Sequence, residues 1–385
     1  MQYLIYILCL LISANAYEVQ AKKPQASIRF TSSNPIIDGD LTDPSWQEAT
    51  TINQLTQVWP KINSANIDES KSKVKLMYNE EYLLVSADLF SDHTPITANT
   101  LQYNQDTTGD DSFTMLIDTF GSKQNAYWFS VNPNSVKNDG LIVNNTKNIP
   151  EWNGVWYASS KITDEGWAVE MAIPFKMLSF DPKADAWGLN IIHKVAQSQT
   201  ELRWTNINQN SEYFAPEKFG LLTGLKEIDQ GYGLDIRLST VARDVSSPSE
   251  KYSEITPSLD VFYKWTPAMS TALTLNTDFS NTDVDERQLN LGRFNLFLPE
   301  KRDFFLQDAG IFEFGGLNKN GRPFFSRKIG LDPHGKPIDI NAGLKFSGFG
   351  ERWGFGLLSV NTEDVNNQGT QQLTVARGTW QVNEH

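Results

Sequence analysis

Apolar and polar residues alternate with a period of two along much of the chain, the spacing of half-buried strands and not of helices. Val74, Leu76 and Tyr78 alternate with Lys73, Lys75 and Met77, and Asn79-Glu80-Glu81 breaks the run. Leu83, Val85, Ala87 and Leu89 then resume it, which predicts a hairpin. Phe113, Met115 and Ile117 alternate with Ser112, Thr114 and Leu116. Trp167, Val169, Met171 and Ile173 alternate with Ala168, Glu170 and Ala172, and Pro174 ends that strand. Trp187, Leu189, Ile191 and His193 make one more face. Turn residues part these runs at short intervals, the pattern of an all-β sandwich. One short helix is predicted after Asp43 as cap, with Pro44 in the first turn and Ser45-Trp46-Gln47-Glu48-Ala49 following.

From about residue 231 the alternation changes character. Tyr232, Leu234, Ile236, Leu238 and Ala242 share one face, while Gly233, Asp235, Arg237, Ser239 and Arg243 share the other. Leu259, Val261, Tyr263 and Trp265 repeat this against Ser258, Asp260 and Lys264. Residues 270–279, 340–349, 353–361 and 371–381 give weaker versions. Apolar-out, charged-in strands with aromatic ends are the pattern of an outer-membrane barrel, although a soluble sheet with one wet face has the same period. Six such strands fall short of the eight or so that a closed single-chain barrel needs. The expectation is an N-terminal β-sandwich followed by antiparallel strands of an incomplete β-barrel, with the chain a fragment of a longer one. The expected divisions are a signal peptide at 1–16, a sandwich at 34–225 and a partial barrel at 231–385, with a linker between Gly220 and Gly231.

The leader rests on the apolar run Leu4–Ile12, too short to span a bilayer as a helix. Ala14 and Ala16 follow in the small-x-small arrangement of a cleavage site, although no Lys or Arg precedes the run. Cys9 is the one cysteine, so a cleaved chain has no disulfide, thiolate metal site or Cys nucleophile. With 33 basic against 46 acidic side chains the net charge is −13, which argues against nucleic acid as a partner. The expected location is the outer membrane or periplasm of a Gram-negative bacterium.

Ile36-Ile37-Asp38-Gly39-Asp40-Leu41-Thr42-Asp43-Pro44-Ser45-Trp46 resembles the opening of a family 9 carbohydrate-binding module. Asp110-Asp111-Ser112-Phe113, Ile117-Asp118-Thr119-Phe120 and the run Gly166 to Phe175 continue the resemblance in order. The stretch from Asn276 to Leu306, with Pro299-Glu300-Lys301-Arg302-Asp303-Phe304-Phe305-Leu306, and Phe325-Ser326-Arg327-Lys328-Ile329-Gly330 resemble bacterial surface proteins. In those proteins such a module precedes a C-terminal β-domain taken as an outer-membrane barrel. Gln307 departs from that pattern, where Glu is common. The resemblance implies a carbohydrate ligand, a role in carbohydrate catabolism and no catalysis. It also leaves structural calcium open, with Asp110 a candidate ligand.

A sugar site needs flat apolar faces for pyranose rings and planar polar groups for hydroxyls. Eight of the 11 tryptophans precede residue 226. Trp46, Trp167 and Trp187 sit in phase with aliphatic neighbours and read as core. Trp152 and Trp156 flank Asn153-Gly154 at a loop end and are candidate platforms, with Trp128, Asn153 and Asp111 as further candidates; each tryptophan could equally seal the sandwich. Asp38, Asp40 and Asp43 do not fit a calcium loop, because its sixth and twelfth places hold Asp43 and Ala49. Two rivals remain. A glycoside hydrolase needs two carboxylates about 5–9 Å apart, for which Asp111, Asp118 and Glu170 are candidates. A haem-binding sandwich would draw on His93 or His193 with Met77, Met115 or Met171.

Overall fold

The computed structural model describes residues 23–62, 72–91, 95–102, 105, 107–145, 147–210, 214–228, 230–246, 251–277, 300–314, 323–330, 338–350, 352–363 and 370–382. The leader with Cys9, His93 and residues 278–299 of the barrel-like motif lie outside them. The chain is all-β, as its alternation predicts, and its strands form three sheets.

The first sheet runs in the order β1 (Gln25–Ser27), β15 (Gly220–Thr223), β13 (Ala186–Val195), β7 (Ser112–Asp118), β8 (Ala126–Val131), β9 (Lys137–Val143) and β10 (Lys147–Ile149). β14 (Thr200–Arg203) pairs with β13 and carries β4 (Thr56–Trp59) outside it. The second sheet runs β11 (Tyr157–Ile162), β12 (Gly166–Pro174), β6 (Tyr82–Phe90), β5 (Lys73–Tyr78) and β2 (Arg29–Phe30), with β3 (Thr50–Ile52) also on β5. Their facing sides make one core: Phe113, Met115, Ile117, Phe129, Trp187, Leu189 and Ile191 meet Val74, Leu76, Val85, Leu89, Trp167, Val169 and Met171.

The sequence pattern leaves the alternate, polar positions facing water, but β7 and β12 are buried on both faces. Loops cover them. Residues 36–49 lie over the second sheet, seating Trp46 and Ala49 on Met77, Leu84 and Ala172. Glu170 pins this strap, accepting from the Trp46 indole at 2.7 Å and from the amides of Gly39 and Asp38 at 2.8 and 3.0 Å. The helix predicted here is a single 3₁₀ turn, Pro44–Gln47, whose first turn is capped by the Asp43 carboxylate on the Ser45 amide. Gly220, expected in a linker, lies in β15 beside both β13 and β1; the connection out of the sandwich runs instead from Gly224 to Gly233.

The third sheet is a meander in chain order: β16 (Leu234–Ser246), β17 (Lys251–Thr266), β18 (Met269–Thr277), β19 (Ile340–Phe349), β20 (Trp353–Thr362) and β21 (Gln371–Trp380). Among the described residues it is open, with β16 and β21 at its edges, and they close no barrel. Its register puts Leu234, Ile236, Val261, Leu273, Leu344 and Leu357 on one face and Asp260, Lys264, Ser270, Thr274, Lys345 and Ser347 on the other. The polar face holds a short segment built on α1 (Asp303–Leu306) and the turn Ala309–Ile311. Phe304 fits against Gly343, and Ile311 and Phe312 fit against Gly356; a methyl at either glycine would stand about 3.0 Å or less from these side chains. Lys345 donates to the carbonyls of Phe304 and Gln307, and Asp308 accepts from the Ser347 hydroxyl at 2.7 Å. Buried cations and hydroxyls thus serve the carbonyls and carboxylate of a segment that no strand covers.

Candidate functional site

The loop after β10 does not form an open platform. Trp156 is 1% exposed, edge-on to Phe129 at 5.2 Å with the Lys137 ammonium 5.3 Å from its ring centre. It offers no face to a sugar. Trp152 is half-buried beside Tyr127 at 5.1 Å and packs with Leu141, Val143 and Ile149 against Leu306 and Ala309, so it belongs to the junction with the third sheet. Asn153 is exposed, and the next residue, Gly154, donates to Asp139 at 2.5 Å. Asp139 escaped sequence reading, although a carboxylate in phase with Leu141 and Val143 on β9 is its signal. The loop folds inward because that buried carboxylate and the two indoles need it as a lid.

The outer face of the first sheet has the chemistry that loop lacks. The strand register sets Asn138, Ser130, Thr114, Ile192 and Arg203 in one row across β9, β8, β7, β13 and β14. Ser112, Lys194, Glu201 and Trp59 form the next row. Thr114 and Ser130 share a hydroxyl hydrogen bond of 2.8 Å, and Arg203 pairs with Glu201. The Asn138 amide donates to Gln105 O at 3.0 Å and Thr107 Oγ1 at 2.9 Å, while its carbonyl oxygen has no partner among the described residues. Trp59, 54% exposed, stands at one end. At the other, Trp128 stacks on Phe214 at 6.1 Å and donates to Asn148 at 2.8 Å. The result is a polar floor of hydroxyls, an amide, a guanidinium and a carboxylate, each 9% exposed or less and tied in part to Gln105 and Thr107, between exposed Trp59 and buried Trp128. Of the sequence candidates only Trp128 lies on it. Ser130, Asn138 and Arg203 were missed because strands distant in sequence bring them together.

Asp110 and Asp111 bracket this floor as loop anchors. Burial raises the Asp110 pKa, but amides of Asn99 and Thr100 and the Asn132 side chain outweigh it and hold the carboxyl below its ordinary value. Every one of these neighbours presents an N–H, whereas calcium requires converging oxygens. The donor set therefore does not suit the ion, and no group of three or more acidic, His or Cys side chains gathers among the described residues. Asp38 and Asp40 likewise accept from backbone amides two residues on. Burial pushes the Asp111 carboxyl up to about 6 despite its bond from Ala196 N at 2.8 Å, and Oδ2 has no partner among the described residues. Folding therefore takes up a proton between about pH 4 and 6, and this group's burial costs stability as pH rises through that window. Asp111→Asn is expected to stabilise the protein by about 2 kcal/mol at pH 8 and by nothing at pH 4, as denaturant melts at the two values would report.

The carboxylates proposed for hydrolysis do not pair. Asp111 precedes β7 and Asp118 ends it, about 20 Å away at strand rise. Glu170 lies on the outer side of the other sheet and is spent on the strap. His193 is fully buried in the core beside Trp167, where burial pushes its pKa down to about 4. Its position in the packed core gives it no opening to a haem face.

Residues 37–227 match a family model described as carbohydrate family 9 binding domain-like. The sandwich is a family 9-like domain. Residues 238–346 match a second model, a domain of unknown function (DUF5916). Among solved structures, a family 9 carbohydrate-binding module from Caldicellulosiruptor kristjanssonii in complex with cellotriose is 20% identical, with a TM-score of 0.38 over 52% of this chain and 93% of that one. The same organism's module in complex with glucose is also 20% identical, with a TM-score of 0.37 over 51% and 94%. No curated protein matches the chain. The family 9-like match covers the sandwich from the strap to the end of β15, leaving only β1 and β2 before it, so the outer-face floor lies inside it.

Proposed function

We propose that this chain is an exported, non-catalytic carbohydrate-binding protein, seated in a Gram-negative outer membrane by its third sheet. The observation that carries the sugar reading is the polar floor between Trp59 and the Trp128–Phe214 stack, in a domain matched by a carbohydrate-binding family model. Trp59 is the exposed indole that can cover the apolar face of a ring, and the buried floor beside it supplies the adjoining hydrogen-bonding groups. The membrane reading rests on the third sheet's apolar face, where Leu238 is 81%, Ile255 72%, Trp265 60% and Trp380 70% exposed. A face of this size left to water would be an aggregation site, whereas lipid satisfies its side chains; the backbone groups of the β16 and β21 edges would need further strands to pair with.

The test is a titration of the full chain in detergent with cello- and xylo-oligosaccharides. Trp59→Ala should weaken binding by about 1–2 kcal/mol, because stacking is lost while the exposed side chain contributes little to the fold. Arg203→Met should weaken it similarly by removing the guanidinium. Unchanged affinity in both variants would move the site off this face, and an absence of binding to any oligosaccharide would end the sugar reading.

A further inference from the structure

The third sheet has two unlike ends. At one, β17 joins β18 through residues 267–268 and β19 joins β20 through residues 350–352. At the other, the connections are longer: residues 247–250, 278–339 and 363–370. Membrane β-sheets of the outer-membrane type have this asymmetry, with short turns on the periplasmic side and long loops outside.

The sandwich is fastened to the short-turn end. The Phe180 amide donates to the Pro267 carbonyl at 3.0 Å, inside the β17–β18 turn. Lys264, three residues earlier in β17, sends its ammonium to the carbonyls of Leu178 at 2.7 Å and Lys176 at 3.0 Å in the sandwich. Phe120 meets Phe349 at 5.7 Å, beside the β19–β20 turn. The connecting segment enters the sheet at this same end, where Gly233 accepts from the Lys264 amide. Gly233 takes a positive φ of 63°, and a Cβ there would lie 2.7 Å from the Lys264 carbonyl, so the entry is tight as well as short.

The aromatic side chains described on the apolar face gather here too. Tyr263 and Trp265 touch at 5.0 Å, Phe346 and Phe355 at 5.1 Å, and Trp353 stacks on Phe355 at 5.8 Å. Trp380 lies across from Trp353 in the register. Indole and phenol groups prefer the headgroup level, so this row marks a water–lipid boundary with the sandwich on its aqueous side. Within the 278–339 connection, residues 300–314 lie along the polar face and reach the sandwich, where Lys147 pairs with Glu313 at 2.5 Å.

From the turns, the fastening and the aromatic row we infer that the sandwich hangs on the periplasmic side of the outer membrane, directly under the sheet. The inference rests on the membrane reading above and deepens it. The sugar floor then meets glycans of the periplasmic space, and not polymer outside the cell. The segment built on α1 stands between that floor and the outside.

Single-cysteine labelling tests this cleanly, because no cysteine follows Cys9. Asn53→Cys puts a thiol on an exposed sandwich position, and Thr370→Cys puts one on an exposed position at the long-loop end. In intact cells a membrane-impermeant maleimide should label Thr370→Cys and leave Asn53→Cys unlabelled, and permeabilising the outer membrane should restore labelling at Asn53→Cys. Labelling of Asn53→Cys on intact cells, with the protein still in alkali-washed membranes, would overturn the sidedness alone. Protein washed off those membranes would overturn the membrane reading, and the sidedness with it.

Discussion

Trp156→Ala is expected to cost the sandwich about 3–5 kcal/mol of stability and to leave sugar affinity of the folded fraction unchanged. The indole is 1% exposed and closes the sandwich edge against Phe129. Its removal leaves a cavity whose walls are held by β8 and β9 and cannot collapse freely. It also takes away the ring under the Lys137 ammonium, which donates to the Trp156 carbonyl at 2.7 Å. Thermal melts and oligosaccharide titrations on the same variant separate the two roles. A variant that melts like the parent but binds more weakly would return Trp156 to the site. Trp156→Phe should recover much of the loss, since a ring again fills most of the space.

Glu170→Ala should be as damaging, at about 3–5 kcal/mol, although Glu170 sits on the opposite sheet and touches no candidate ligand position. Burial raises this carboxyl's pKa, while the Trp46 indole and the amides of Gly39 and Asp38 oppose the rise. Alanine leaves those donors buried without an acceptor, which is the expensive way to break a hydrogen bond. Glu170→Gln should cost less, about 2 kcal/mol, because one oxygen survives to accept while the new NH₂ faces a backbone N–H. The released strap is measurable directly: faster amide exchange at residues 38–46 in Glu170→Gln than in the parent would support the pinning role. Equal protection in both would sink it.

The two variants illustrate what alternation can and cannot report. Trp167 and Trp187 were legible as core because each is in phase with aliphatic residues along its own strand. Trp156 immediately precedes β11, at the end of a loop, and has no such phase, so its burial depended on Phe129 and Lys137, which a neighbouring hairpin supplies. Glu170 looked like a solvent-facing residue for the same reason. Its position on the outer side of β12 was read correctly from the pattern, but the strap that covers it comes from more than 120 positions earlier in the chain.

Strand positions, the all-β class, the change of character near residue 231 and the polar–apolar division of the third sheet were all determined by the sequence alone. They depend on the period-two geometry of one strand, which any single segment carries in full. The family 9-like resemblance was legible for a similar reason, since its motifs are contiguous. The polar floor of the first sheet was decided only by tertiary structure: Asn138, Ser130, Thr114 and Arg203 become neighbours through the register of five strands. So was the burial of Trp156, and so was the fastening of the sandwich to the short-turn end of the third sheet. Each of these is a meeting of separate strands or loops, some sequential and some far apart, and side-chain spacing within one strand has no term for which strand lies beside it.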